Sequence, residues 1–144
     1  MIFTAYLTPS GQEIYELVSK KIKFLENPPI CRQKDIYGWF NSKNKTITFC
    51  TDRIKSNGNA IHYVNETLYH ESTHVAQSCK SLFGNNLVVL GINPSSINLS
   101  KNKEIDLRTV TSMLGEKSYK IEKEAFWIED KPKQVIYYLK KFCF

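Results

Sequence analysis

The sequence predicts an α+β domain, mainly helical, with a small antiparallel β-sheet packed against one central helix. Three observations point there: several apolar stripes at helical spacing, one pair of short β-branched and aromatic runs flanking turn residues, and the absence of any internal repeat. The chain of 144 residues fits one compact domain, 1–144, and can bury a core without a stapling metal. A metal in such a chain is expected to be functional.

After Pro9-Ser10-Gly11, residues Ile14, Leu17, Val18, Ile22 and Leu25 keep helical phase and predict a helix over 12–25, stopped by Asn27-Pro28-Pro29. Residues 36–40 and 45–50, joined by Asn41-Ser42-Lys43-Asn44, read as a hairpin. Asn57-Gly58-Asn59 breaks the chain, and Asn65 is the expected N-cap of a helix over 66–79, which leaves His62 in a loop. Residues 85–102, rich in Asn, Ser, Gly and Pro, predict a long loop interrupted by the apolar run 87–90. Helical patterns follow over 105–114 and 119–128, parted near Gly115, and Pro132 opens a last helix through Phe142. The expected core is Ile14, Leu17, Val18, Phe49, Leu68, Val75, Ala125, Ile128, Val135, Ile136 and Leu139.

Composition narrows the class. Apolar residues at 42% and charged residues at 24% exclude extensive disorder and fibrous repeats. No apolar run approaches the roughly 18 residues of a membrane span, and the first residues lack a basic, apolar leader. The expectation is a cytoplasmic protein with no membrane partner. The net charge of +6 is spread, with nine basic residues in 1–72 and eleven in 73–144, so a solvated basic surface is expected rather than a nucleic-acid groove. Cys31, Cys50, Cys79 and Cys143 show no metal or redox spacing, and are read as reduced, mostly buried thiols, with two disulfides the alternative.

The chemistry lies in Tyr69-His70-Glu71-Ser72-Thr73-His74-Val75-Ala76-Gln77. His70 and His74 stand four apart, so a helix projects both imidazoles from one face, within reach of one cation. Glu71 sits to the side, where it can take a proton from water without ligating the metal. A catalytic zinc needs a third protein ligand and an open position. On the helix over 119–128, Glu122 shares a face with Ala125, and Glu124 shares one with Ile121 and Trp127. The small Ala125 lets a helix approach closely and favours Glu122, with Glu124 the alternative. Tyr119 and His62 are candidate donors to a developing oxyanion, without a basis for choosing either.

These residues resemble the gluzincins, zinc metallopeptidases with two histidines from HExxH and a glutamate from a later helix. His70 to Gln77 is similar to the HExxHxxQ form of small bacterial and phage members. Glu122-Lys123-Glu124-Ala125 is similar to the ExxA element of the prenyl-protease-like and phage-repressor-cleaving branches. The resemblance covers roughly residues 36–130 and implies a zincin-like fold with Zn2+ on His70, His74 and Glu122. It also implies a substrate-pairing edge strand before the HExxH helix, here Thr46, Ile47, Thr48 and Phe49. One departure stands out: Phe126 occupies the position where those branches carry an Asp or Asn that orients a ligand histidine.

The leading expectation is a zinc-dependent metallopeptidase acting on a peptide or protein, with Glu71 as general base. The alternatives are a catalytically inactive metal-binding or partner-binding protein, and a basic nucleic-acid-associated protein. Iron suits the same donor set.

Overall fold

A computed structural model describes residues 1–144. After a 3-10 turn at Ile2–Tyr6, helix α1 spans Pro9–Val18, started by proline at its first turn and by the Thr8 side chain accepting from Gly11 N–H. It ends well before residue 25. Residues Lys23–Glu26 form strand β1; Ile22 just before it and Phe24 within it are buried, and Lys23 between them is exposed. This period of two competes with the helical phase of Ile22 and Leu25, and it wins because Phe24 reaches an aromatic cluster. Phe3 stacks on Phe49 at 4.1 Å between centroids, and Phe24 lies 5.6 Å from Phe3.

The short helix α2 (Ile30–Gln33) leads into β2 (Gly38–Asn41) and β3 (Thr46–Phe49), the expected hairpin. The sheet is mixed rather than antiparallel, in the order β1-β3-β2: Phe24 pairs with Ile47 in parallel and Phe40 pairs with Ile47 in antiparallel. Thr46–Phe49 is therefore the central strand, hydrogen-bonded on both sides, and cannot receive a substrate strand. The free edge nearest the long helix belongs to β2.

Helix α3 (Thr51–Ser56) precedes α4 (Ala60–Lys80), which begins six residues earlier than expected, after Asn59 in the left-handed region (φ 53°). Asn65 is no cap. It is buried within the helix, where Oδ1 accepts from Thr8 N–H and Nδ2 donates to the carbonyls of Tyr6 and Ile61. His62 accordingly lies on the helix. Strand β2 packs flush on α4: a Cβ at Gly38 would fall 2.5 Å from Thr67 Cγ2, so glycine permits the approach.

Residues 81–100 are irregular apart from a turn of 3-10 helix at Pro94–Ser96. Helix α5 then starts at Lys101, capped by Ser100, and runs to Leu114. Helices α6 (Tyr119–Ile128) and α7 (Pro132–Phe142) match expectation and pack on α4. Nine of the eleven expected core residues are buried; Leu17 and Ile136 are half-buried. The cysteines are not free thiols. Cys31 bonds Cys50 and Cys79 bonds Cys143, with Cα separations of 5.4 and 5.2 Å, pairings that only the tertiary fold brings together. No helix is long and apolar enough to cross a membrane.

Candidate metal centre

Helix α4 lies at the middle of the fold, with α1, α6, α7 and β2 packed round it, so residues from Thr67 to Cys79 are buried almost without interruption. His70 and His74 lie one turn apart, with ring centroids 5.0 Å from each other. Helix α6 delivers Glu122 between them: its Oε1 is 3.1 Å from His70 Nε2 and its Oε2 is 2.9 Å from His74 Nε2. One donor atom from each of the three residues lies within 4.8 Å of the others. Tetrahedral ligands about 2.0–2.1 Å from zinc stand roughly 3.3 Å apart, so a cation needs only a small opening of this trio.

The outward nitrogens are also held. His70 Nδ1 is 2.8 Å from Glu129 Oε2, and His74 Nδ1 is 2.7 Å from Gln77 Oε1. Gln77 Nε2 donates to the Ile121 carbonyl at 3.1 Å and to Glu124 Oε1 at 3.0 Å. Two acceptors on that nitrogen oblige the Gln77 oxygen to face His74. Both outward partners are then acceptors, both Nδ1 atoms carry hydrogen, and each Nε2 is left to present a lone pair to a cation.

Electrostatics agrees with a cation site. Burial alone would lower the His70 and His74 rings, but Glu122, with Glu129 at His70, holds both above the ordinary imidazole value. Burial likewise opposes the charge on Glu122, yet the two histidines hold its carboxyl far below the usual range. The trio is a compact ion-paired cluster in which metal and protons compete for the same Nε2 positions.

Glu71 stands beside the trio and outside it. Its Oε2 accepts from Phe40 N–H on the free edge of β2 at 2.8 Å. Burial raises its carboxyl above the ordinary value, against the pull of both histidines. Glu124 does not reach the histidines; both its oxygens accept from Leu90 N–H, at 2.8 and 3.0 Å, which ties the segment after α4 to α6. The Phe126 ring lies edge-on to His70 at 4.7 Å, filling the place expected for an orienting carboxamide or carboxylate. Glu129, three residues on, supplies the acceptor, and Lys103 Nζ lies 3.6 Å from its Oε1. Neither Tyr119 nor His62 joins the cluster: Tyr119 is exposed, and His62 pairs with Glu66 at 3.3 Å.

Sequence reasoning gave no role to Glu129, Gln77 or the Phe40 amide. The first had a signal, since Glu129 follows Glu122 by seven residues, two turns along the same face. Gln77 lay in the quoted motif, one turn beyond His74. The Phe40 amide had no signal, because it depends on which strand borders α4.

The fold and cluster define a mainly helical α+β protein with a buried two-histidine, one-carboxylate group. The chain belongs to the family described as Domain of unknown function (DUF8637), which it matches over residues 3–144. No curated protein and no solved structure matches it.

Proposed function

We propose that the protein is a zinc-dependent metallopeptidase of zincin-like fold, with His70, His74 and Glu122 as metal ligands and Glu71 as general base. The observation that carries this reading is the double fixing of each histidine. Its Nε2 faces Glu122, and its Nδ1 is tied to an acceptor that has no ligand role of its own. An ordinary buried ion pair has no need of the outer acceptors, whereas histidine ligands characteristically carry them.

Bound zinc would supply Lewis acidity toward a scissile carbonyl and toward water. Phe40 N–H fixes one Glu71 oxygen and leaves the other for proton transfer. Its raised carboxyl value suits a group that takes a proton from water and returns it to the leaving amine. The role of substrate-pairing edge, first expected of Thr46–Phe49, passes to β2, the strand with an unpaired side next to Glu71.

A second reading, a metal-binding protein without peptidase activity, is favoured by one observation: the His70, His74 and Glu122 side chains are only 12%, 7% and 8% exposed. A cleft of about 240 Å³, lined by Thr8, His62, Glu66, Tyr69 and Glu129 among others, lies beside the carboxylate that holds His70. The two disulfides also favour an oxidising compartment over the cytoplasm.

The test is metal analysis with peptide-library hydrolysis of the wild type and Glu71→Gln. One zinc per chain in both, with hydrolysis only in the wild type, supports the peptidase. One zinc with no hydrolysis by either supports the second reading, and a chain that takes up no zinc overturns both.

A further inference from the structure

We propose that the end of the molecule formed by Lys20, Lys21, Lys45, Lys80, Leu82 and Phe144 is a docking surface for an anionic lipid bilayer. Four stretches of chain meet there: the turn after α1, the β2–β3 turn, the C-terminal end of α4 and the end of α7. Cation–π contacts establish their contiguity. Lys21 Nζ lies 5.5 Å from both the Phe83 and Phe144 ring centroids, Lys45 Nζ lies 4.4 Å from Phe83, and Lys20 Nζ lies 5.9 Å from Phe144.

Its side-chain charge is one-signed. Residues 17–25, 36–51, 72–103 and 131–144, which build this end, contain no Asp or Glu. None of Lys20, Lys21, Lys45 and Lys80 has a carboxylate within 4.0 Å. The acids of the fold lie outside these stretches: on α1 (Glu13 and Glu16), around Glu26, Asp35 and Asp52, in the metal-ligating cluster, and from the start of α5 to α6. Such a segregated field attracts a polyanion, although the overall +6 is modest.

The apolar part selects a bilayer among polyanions. Leu82 is 95% exposed, held in the left-handed region (φ 61°) on the turn that leaves α4. Val88, Val89 and Phe144 are exposed as well, and Lys80 Nζ, two residues before Leu82, donates to the Val89 carbonyl at 2.9 Å. An aliphatic tip ringed by lysines matches the boundary between headgroups and acyl chains, where the tip enters and the ammonium groups stay at the phosphates. Nucleic acid asks for open aromatic faces and forked guanidinium groups. Here the Phe83 ring is half-buried beneath two lysines, and the chain's three arginines, Arg32, Arg53 and Arg108, all lie outside these stretches. Docking would leave His70, ten residues before Lys80 on α4, about 15 Å from the bilayer along the helix.

The experiment is co-sedimentation of the full chain with phosphatidylcholine vesicles, with and without phosphatidylglycerol, over a salt series. The expected result is binding that requires phosphatidylglycerol, weakens with salt, and falls about tenfold in Leu82→Ser and at least about tenfold in K20E/K21E. Leu82 makes no buried contact, so the serine variant keeps its fold, checked by circular dichroism. No binding to phosphatidylglycerol vesicles at low salt overturns the proposal, as does undiminished binding by Leu82→Ser. Salt-sensitive binding to single-stranded RNA without vesicle binding assigns the face to nucleic acid and also overturns it.

Discussion

The Gln77 side-chain nitrogen donates to Glu124 Oε1 at 3.0 Å, and this contact decides which nitrogen of His74 is free for a cation. Without the Glu124 carboxylate, only the Ile121 carbonyl holds the Gln77 nitrogen, so the amide turns more readily, offering His74 Nδ1 a donor instead of an acceptor and shifting hydrogen to Nε2, the proposed ligand position. Glu124→Ala is therefore expected to keep a metal stoichiometry near that of wild type but to lower affinity roughly 10–100-fold. Glu122→Ala, which removes a proposed ligand, is expected to abolish tight binding. Competition titration against a chelating dye separates the outcomes, and equal losses in both variants would mean that Glu124 ligates.

Glu129 does for His70 what Gln77 does for His74, with a charged acceptor. Glu129→Gln retains an oxygen for the Nδ1 hydrogen, and is expected to keep most of the metal affinity. Glu129→Ala is expected to lower affinity by roughly 10–100-fold and to broaden the His70 ring signals, because the Phe126 edge alone does not fix the ring. Nitrogen-detected NMR of the histidines reads this tautomer directly. An alanine variant with unchanged affinity and unchanged tautomer would remove Glu129 from the site.

Much of this was legible in the chain, for physical reasons that differ by element. Helices α6 and α7 were read at their true boundaries because Gly115 and Pro132 punctuate strong amphipathic stripes. The histidine pair and Glu122 were legible because helical geometry fixes local neighbours. Strand β1 was not: its four residues are stabilised by pairing Lys23–Glu26 with Thr46–Phe49, more than twenty residues away in sequence, while Ile22 and Leu25 happen to fit a helix. Asn65 has the chemistry of a cap, but its amide is used inside the helix to anchor the chain before α1. Cysteine pairing and strand order had no local signature at all.

The disulfides carry a large share of the expected stability. Cys79–Cys143 closes a loop spanning 64 residues that contains α5, α6 and α7, and Cys31–Cys50 closes one spanning 19. Chain-entropy arithmetic gives about 4 kcal/mol for the longer loop and about 3 kcal/mol for the shorter. Cys79→Ser/Cys143→Ser is expected to lower the denaturant midpoint more than Cys31→Ser/Cys50→Ser, and to weaken metal binding, because it unties the end of α4 from the helices that follow it. Thiol titration of the unreduced protein after denaturation gives a direct check: four reactive thiols would contradict both bonds.

Acid should destabilise the protein through Glu26, far from the histidines. Its carboxylate receives Ile2 N–H at 2.9 Å, Phe3 N–H at 2.8 Å and the Thr51 hydroxyl at 2.7 Å, which ties the start of the chain to β1 and α3. Burial opposes the charge, but these hydrogen bonds prevail and hold the carboxyl below its ordinary value of 4.5. A group lowered by folding contributes its stability above the unfolded value, and loses it as pH falls through the lower, folded value. Glu26→Gln cannot be ionised and accepts fewer hydrogen bonds, so it should be less stable than wild type at neutral pH by about 1–3 kcal/mol. Its melting temperature should also vary less with acid, so that the two curves converge as pH falls. Parallel curves of Tm against pH for the two proteins would show that the anchoring of Ile2 and Phe3 does not depend on the Glu26 charge.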